Sequence, residues 1–351
     1  MTDRITDGSL GQSGPATRCA MKKIALTGIK PTGTPHLGNY LGMIKPALEL
    51  IDDYQALYFI ADDHALITVK DRNELKRQVY AVAATWLALG LDPRKVIFFR
   101  QSDIPEIFEL AWILSCFTAK GLLNRAHAYK AAVAANTEKR RSPDAEINSG
   151  LFNYPVLMAA DILLFGSRIV PVGSDQKQHV EIARNIAAMV NQTYGRVFSL
   201  PDPLIRSEVM TIPGLDGRKM SKAYGNTIPI FAEPGHLRKR VMGIVTDSRR
   251  PEEPKNPDGC NVFKIYKHFA STESVKRTRR GYTMGGLAYS VVKHELLDVL
   301  EEKMGPLRAT YRDLLDTPDR IDQILARGAA EARKVATPIM EKVRRKIGIR
   351  R

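Results

Sequence analysis

Apolar residues along this chain occur first in short continuous runs. The runs at 24–26, 56–60, 95–99 and 169–172 have the length of buried strands. Segments with helical spacing separate these runs, most clearly over 71–89. Strands that alternate with helices are typical of the α/β class, and we predict a Rossmann-like, doubly wound parallel sheet.

The pattern changes near residue 230, where amphipathic helical spacing begins and no comparable strand signal remains. The predicted helices there cover 296–304, 307–315, 321–325 and 329–347. We therefore expect three parts: a disordered leader over 1–20, a Rossmann-like domain over 21–229 and an α-helical C-terminal domain over 230–351. The polar segment 130–149 is predicted to be a surface loop.

A turn rich in Gly and Pro over 28–42 follows the first predicted strand and precedes a predicted helix. A helix whose first turn exposes backbone N–H groups after such a turn suits a polyphosphate. His36 and Asn39 are three residues apart, so both can face one ligand from that helical turn. The turn lacks the Walker and G-x-G-x-x-G patterns, and alone it is equally typical of a surface turn with an exposed histidine.

The segment 151–165 is apolar on nearly every side except at Asp161. Because burying an unpaired carboxylate is costly, Asp161 needs a hydrogen-bond donor. That donor is either another group of the protein or a ligand, and the residues alone favour an internal partner.

Two further polar turns have the composition of ligand loops. Residues 173–176 follow the fourth predicted strand, although Asp175 alone is more typical of a helix N-cap. The loop at 217–226 contains two lysines and a serine that can reach phosphate oxygens, although such a string is often a solvated loop.

The 351 residues contain 53 Lys and Arg against 38 Asp and Glu, a formal net charge of +15. Residues 230–351 contain 26 Lys and Arg against 16 Asp and Glu, so the basic surplus lies mostly in the helical region. This distribution favours a polyanionic partner, and nucleic acid before membrane.

Neither a membrane span nor a secretory signal is expected, since no window approaches 18 consecutive apolar residues and residues 1–20 contain no apolar core. The 3 cysteines are widely separated, so neither a disulfide framework nor a Cys-x-x-Cys metal site is expected. A cytoplasmic location fits both observations.

Two loops in the right order resemble a known pair of motifs. His36-Leu37-Gly38-Asn39 and the stretch Lys219-Met220-Ser221-Lys222-Ala223 resemble the HIGH and KMSKS motifs of class I aminoacyl-tRNA synthetases. The segments 28–42, 154–164 and 170–179 are similar to the bacterial tryptophanyl-tRNA synthetase family. The resemblance implies that the chain activates L-tryptophan with ATP, transfers it to tRNA(Trp), forms a homodimer and binds the anticodon through its helical region.

The resemblance also implies roles for particular residues. The catalytic residues would be His36, Asn39, Lys219 and Lys222. The ATP site would contain Lys30, Pro31, Thr32, Gly38, Asn39, Gly173, Ser174, Asp175, Val209, Lys219, Met220, Ser221, Lys222 and Ala223. The tryptophan site would contain His64, Tyr154, Met158, Asp161, Ile162, Val172 and Gln176, with Asp161 accepting the indole N–H. No metal ligand is implied in the protein, because Mg²⁺ would be held mainly by the ATP phosphates.

Three positions depart from the family pattern. Lys30 stands where many relatives have Gln, Leu26 replaces a common aromatic residue, and Ala223 replaces the last serine of KMSKS. These departures suggest a divergent or auxiliary branch.

The alternatives are a tyrosyl-tRNA synthetase, a nucleotidylyltransferase, and a synthetase-derived RNA-binding or regulatory protein. Asp161 favours tryptophan over tyrosine, and the basic helical region argues against a nucleotidylyltransferase. The retained His36, Asn39, Lys219 and Lys222 argue against a protein that has lost activity.

Overall fold

The computed structural model describes residues 22–171, 177–204 and 212–349. Within these residues, a five-stranded parallel sheet has the strand order β3-β2-β1-β4-β5. The strands are β1 Ile24–Ile29, β2 Gln55–Ile60, β3 Ile97–Arg100, β4 Ile169–Pro171 and β5 Asp202–Leu204. The first four confirm the predicted strands, while β5 gave no signal because it is a three-residue segment with an exposed Asp and a central Pro.

Helices cover both faces of the sheet and form most of the chain after residue 230. They are α1 Leu37–Asn39, α2 Lys45–Leu48, α3 Asp62–Ala65, α4 Arg72–Ala88, α5 Glu106–Ser115, α6 Lys120–Leu123, α7 His127–Glu138, α8 Ser149–Leu164, α9 Lys177–Tyr194, α10 Pro234–Met242, α11 Asn261–Tyr266, α12 Thr272–Met284, α13 Tyr289–Asp316 and α14 Pro318–Ile347. A π-helical turn, Tyr40–Ile44, joins α1 to α2. This architecture confirms the Rossmann-like α/β fold with a helical C-terminal region.

The strand order reverses between β1 and β4, which are neighbours in the sheet although β2 and β3 lie between them in sequence. In open parallel sheets, ligands bind beyond the carboxyl ends of the strands at such a reversal. The Gly-rich turn after β1 therefore lies where this fold places its ligand.

Two hydrophobic cores pack on the two faces of the sheet. The first contains Tyr58, Trp86 and Phe98 and continues into the helical region through residues such as Phe263 and Leu325. The second contains the α8 and α9 side chains and the last half of α14. The first core thus contains residues from both sides of the predicted domain boundary at 229/230. The division into two domains stays a prediction.

The last helix packs directly on β3. A Cβ atom at Gly328 of α14 would lie 1.8 Å from the carbonyl oxygen of Phe98 in β3, so only glycine permits this approach. The C-terminal helix is therefore in direct backbone contact with the sheet that carries the site.

The prediction of a loop over 130–149 is wrong for its first part, because α7 extends to Glu138. No side chain of α7 is fully buried, and its half-buried face is made largely of alanines with Tyr129 and Val133, so the apolar pattern in the sequence is weak. In the helical region, the predicted helices 296–304 and 307–315 are one helix, α13, and the predicted helices 321–325 and 329–347 are one helix, α14. Pro306 lies inside α13 and Pro338 lies inside α14. The predicted leader, 1–20, lies outside the described residues, and no helix among the described residues is long and apolar enough to cross a membrane.

Candidate active site

His36 and Asn39 hold each other at the start of α1. Nδ1 of His36 accepts the backbone N–H of Asn39 at 3.3 Å, and Oδ1 of Asn39 accepts the backbone N–H of His36 at 3.1 Å. This reciprocal capping box fixes the entrance to the helix. The two residues occupy the helical turn predicted for them, and part of their hydrogen-bonding capacity is used for the cap.

The imidazole ring of His36 is neutral at pH 7 and can donate one hydrogen bond. The ring is buried, and burial together with the Lys222 cation lowers the pKa of His36 to about 4. The ring is therefore uncharged at neutral pH. Because Nδ1 accepts a hydrogen bond, the proton of the neutral ring resides on Nε2.

The Lys219–Ala223 loop packs on the turn after β1. Nζ of Lys222 donates to the carbonyl oxygens of Thr32 and Gly33 at 2.5 and 2.8 Å. Gly33 has φ +81°, a conformation that favours glycine, and a Cβ there would contact the Lys222 side chain at 3.2 Å. Although Lys222 is exposed along much of its side chain, desolvation lowers its pKa to about 8.

A second set of contacts joins the same two segments. The backbone N–H of Gly38 donates to Sδ of Met220 at 3.3 Å, and Met220 is buried. The N–H of Leu37 donates to the carbonyl of Ile228 at 2.9 Å. The structure therefore brings together the two motifs that lie about 180 residues apart in the sequence. Lys219 and Ala223 are exposed on this loop, and Ser221 is half-buried.

Asn226 organises the loop from beneath, and the sequence analysis did not identify it. Its buried side chain accepts the N–H of Ser221 at 2.8 Å and donates to Oδ1 of Asp216 at 2.7 Å and to the carbonyl of Lys219 at 3.2 Å. The signal available in the sequence was a polar residue directly after a glycine. In the structure that glycine, Gly225, has φ +63° and forms the turn before Asn226.

Asp161 is buried on α8 and has internal partners on both carboxylate oxygens. Nε2 of His64 lies 3.0 Å from Oδ2, and the side-chain amide of Gln101 donates to Oδ1 and Oδ2 at 2.8 and 3.0 Å. Burial raises the pKa of Asp161, whereas the bonds from His64 and Gln101 act to lower it. The structure thus supplies the internal partner that the residues alone favoured.

Gln101 is the residue of this cluster that the sequence analysis missed. It follows β3 directly, just as the Asp62–His64 group follows the end of β2. A polar side chain at the carboxyl end of a parallel strand was therefore a signal available in the sequence.

Helix α8 presents three predicted pocket residues on one face. Tyr154, Met158 and Asp161 are spaced by four and three residues, which places them on one side of a helix. The Tyr154 hydroxyl lies 2.7 Å from Nε2 of His179, its ring meets His64 edge-on, and burial raises the pKa of Tyr154 to about 12. Met158 is half-buried and Ile162 is buried beside this face.

The remaining predicted residues fall into two groups. Pro31 is buried, and Lys30 is half-buried directly after β1, where burial lowers its pKa. Outside the described residues lie Val172, Gly173, Ser174, Asp175, Gln176 and Val209. In the described part of the chain, no group of three or more His, Cys, Asp or Glu residues could hold a metal ion.

Known proteins are similar to this chain in both sequence and fold. A family model described as class I tRNA synthetases (W and Y) matches residues 20–303. The tryptophan–tRNA ligase of Pseudomonas aeruginosa is 51% identical over 330 residues, which are 93% of this chain and 73% of that protein. The chain belongs to the bacterial tryptophanyl-tRNA synthetases.

Other members of the family support this assignment. The tryptophan–tRNA ligase of Xanthomonas axonopodis pv. citri is 47% identical over 335 residues, covering 94% of this chain and 77% of that protein. A crystal structure of tryptophanyl-tRNA synthetase from Campylobacter jejuni, complexed with ADP and tryptophan, is 45% identical with a TM-score of 0.84 and covers 93% of this chain and 99% of that chain. The chain is therefore a tryptophan–tRNA ligase, a class I aminoacyl-tRNA synthetase, as the motifs predicted.

The tyrosine alternative has weaker support among solved structures. Tyrosyl-tRNA synthetase from Archaeoglobus fulgidus, complexed with L-tyrosine, has a TM-score of 0.61 but only 18% identity. That likeness concerns the fold alone, whereas the Campylobacter jejuni tryptophanyl-tRNA synthetase shares both fold and sequence with this chain.

Proposed function

We propose that the crevice beyond β1 and β4 binds L-tryptophan and ATP side by side, forms tryptophanyl-AMP and pyrophosphate, and transfers the tryptophanyl group to the terminal ribose of tRNA(Trp). The single observation that carries this proposal is Asp161, a buried carboxylate on an apolar helix, held by His64 and Gln101. The Campylobacter jejuni protein, crystallised with ADP and tryptophan, supports the pairing of ligands.

Asp161 accepts the indole N–H in this proposal. A carboxylate has about four lone-pair sites, so the contacts from His64 and Gln101 leave capacity for one more donor. Phenylalanine would leave that capacity unpaired in a buried site, which disfavours it. Tyr154, Met158 and Ile162 provide the surrounding surface, with Val172 and Gln176 as further proposed contacts.

ATP binds on the turn after β1 in this proposal. The neutral His36 donates from Nε2 to a phosphate, and Asn39 and the backbone N–H of Gly38 contribute further donors. Gly38 must exchange its bond to Met220 for a phosphate oxygen. The remaining proposed contacts are Lys30, Pro31, Thr32, Gly173, Ser174, Asp175, Val209, Met220, Ser221 and Ala223.

The tryptophan carboxylate attacks the α-phosphorus in line, and pyrophosphate leaves. Little proton transfer is needed, so positioning and charge stabilisation carry the catalysis. Lys219 and Lys222 neutralise the leaving pyrophosphate, and Lys222 exchanges the carbonyls of Thr32 and Gly33 for phosphate oxygens. Mg²⁺ arrives with ATP in this proposal and is held mainly by its phosphates.

The basic region 230–351 forms a helical domain that binds the tRNA anticodon, and the catalytic domain covers 21–229. The excess of 26 Lys and Arg over 16 Asp and Glu supports this assignment, because tRNA is a polyanion. We further assign the enzyme to the cytoplasm, where tRNA is charged.

A homodimer is supported by an apolar stripe on α5. Phe108 and Trp112 lie four residues apart and are 43% and 73% exposed. A tryptophan that is so exposed beside a phenylalanine is typical of an interface between chains.

Amino-acid-dependent ATP–pyrophosphate exchange tests the proposal. We expect exchange with tryptophan and none with tyrosine or phenylalanine. Asp161→Ala should raise the KM for tryptophan by more than tenfold, because about 1.5–3 kcal/mol of charged hydrogen bonding is lost, and should leave the KM for ATP nearly unchanged. Exchange with tyrosine alone, or an unchanged KM for tryptophan in the variant, would contradict the assignment.

A further inference from the structure

Gln101 is fully buried and forms hydrogen bonds with two residues of the proposed tryptophan pocket, Asp161 and His64. Its amide donates to both oxygens of Asp161, and its Oε1 accepts the backbone N–H of His64 at 3.3 Å. We propose that Gln101 is a positioning residue that holds Asp161 as an oriented carboxylate and thereby sets the preference for a substrate with an indole N–H. This inference rests on the proposed role of Asp161.

The orientation of the Gln101 amide is determined by its surroundings. The backbone N–H of His64 can only donate, so the amide oxygen must face it. The amino group then faces Asp161. The opposite orientation would set the amide oxygen against the carboxylate and two N–H groups against each other.

His64 cannot perform this role alone. A neutral imidazole nitrogen either donates or accepts, so Nε2 of His64 can pair with an ionised Asp161 or with a protonated one. The Gln101 amino group can only donate, and because it donates to both oxygens of Asp161 it pairs more strongly with the ionised form, in which both oxygens are full acceptors. Burial and the negative charge of Asp62 both favour protonation of Asp161, which makes a donor of fixed direction necessary.

The other charged and titratable groups near Asp161 do not replace Gln101. Asp62 is bonded to Ser102, and Asp63 is a carboxyl whose pKa is raised to about 6 by burial, Asp62 and Asp161. From α9, His179 contacts Tyr154. His64 and Gln101 are therefore the two groups that form hydrogen bonds with Asp161 in the described residues, and only Gln101 has a fixed donor.

Gln101 is also mounted rigidly. It begins the 3₁₀ turn Gln101–Asp103 directly after β3. The preceding Arg100 is held by Asp103 at 3.0 Å and by Asp322 of α14 at 2.9 Å. The amide is thus fixed to the sheet, as a residue that orients another side chain requires.

The test compares tryptophan with 3-(benzothiophen-3-yl)alanine, which has sulfur in place of the indole N–H. The measured quantity is the ratio of kcat/KM values for the two amino acids in ATP–pyrophosphate exchange with full-length enzyme. Gln101→Met removes the donor at similar length and should lower this ratio by about tenfold or more, with the KM for ATP unchanged. A ratio equal to that of the wild type would overturn the proposal.

Gln101→Glu provides a second measurement, the pH dependence of the kcat/KM ratio, which would not change if Gln101 had a purely structural role. In this variant, the protonated carboxyl group can still donate to Asp161, whereas the ionised carboxylate repels it. Selectivity in Gln101→Glu should therefore be closer to that of the wild type at pH 6 than at pH 8.5. Selectivity that is low and equal at both pH values would contradict the donor role, and this variant also serves if Gln101→Met does not fold.

Two controls separate the possible failures. Lys95→Gln removes an exposed ion pair with Asp52 just before β3, leaves the Gln101 turn and Asp161 untouched, and should keep the wild-type ratio. Asp161→Asn tests the underlying assignment. If Asp161→Asn keeps the wild-type ratio, the proposed indole contact fails. If Asp161→Asn lowers the ratio and Gln101→Met does not, only the role of Gln101 fails.

Discussion

Replacing Asn226 by alanine tests how the Lys219–Ala223 loop is held in place. The side chain makes three hydrogen bonds, to the N–H of Ser221, to the carbonyl of Lys219 and to the carboxylate of Asp216. Two neutral bonds at about 1 kcal/mol each and one charged bond at about 1.5 kcal/mol give about 3 kcal/mol after a discount for the partly exposed loop. That energy corresponds to about a hundredfold change in the population of the ordered loop.

We therefore expect Asn226→Ala to slow single-turnover formation of tryptophanyl-AMP by up to about a hundredfold. Tryptophan binding, measured by calorimetry, should stay close to that of the wild type, because Asp161 and His64 are untouched. Tyr224→Ala is the matched control: Tyr224 is exposed on the same loop, stacks on Arg218 at 4.3 Å and should change the rate by less than about threefold. A rate within twofold of wild type for Asn226→Ala, with only thermal stability reduced, would refute the reasoning.

Two further predictions concern charge and assembly. The pKa of Lys222 is lowered to about 8, so its ammonium is lost as pH rises through 8, and kcat/KM for ATP should fall there. Lys222→Gln should lower adenylate formation by about a hundredfold at pH 7 and remove this step from the pH profile; a retained step would assign it elsewhere. Trp112→Glu should convert dimer to monomer in sedimentation experiments, whereas Met284→Glu, 71% exposed on α12, should not; a dimer in Trp112→Glu would exclude the α5 stripe.

The sequence was sufficient to predict four of the five strands in the described residues and the Gly-rich turn after β1, because short apolar runs and Gly-rich turns are local signals. It also predicted that Asp161 is buried and needs a partner. It did not identify Gln101, since that partner lies 60 residues away and only the sheet brings the two together. The mutual bonds of His36 and Asn39 were equally hidden, because the same spacing allows both to face a ligand or each other.

Helix boundaries were the least predictable part of the chain. The predicted helices 296–304 and 307–315 are one continuous helix, α13, which runs through Pro306, and Arg308 is paired with Glu301 at 2.9 Å within it. α7 was not predicted, because its packed face is only half-buried and consists largely of alanines, which give a weak apolar pattern.

The contact between α14 and β3 has a consequence for the solubility of the fold. β3 is an edge strand of the parallel sheet, and an uncovered edge offers backbone groups to strands of other chains. Gly328 lies so close to the carbonyl oxygen of Phe98 that no neighbouring strand can reach that group. The C-terminal helix therefore protects the β3 edge of the sheet against edge-to-edge aggregation, a role that depends on one glycine and is independent of RNA binding.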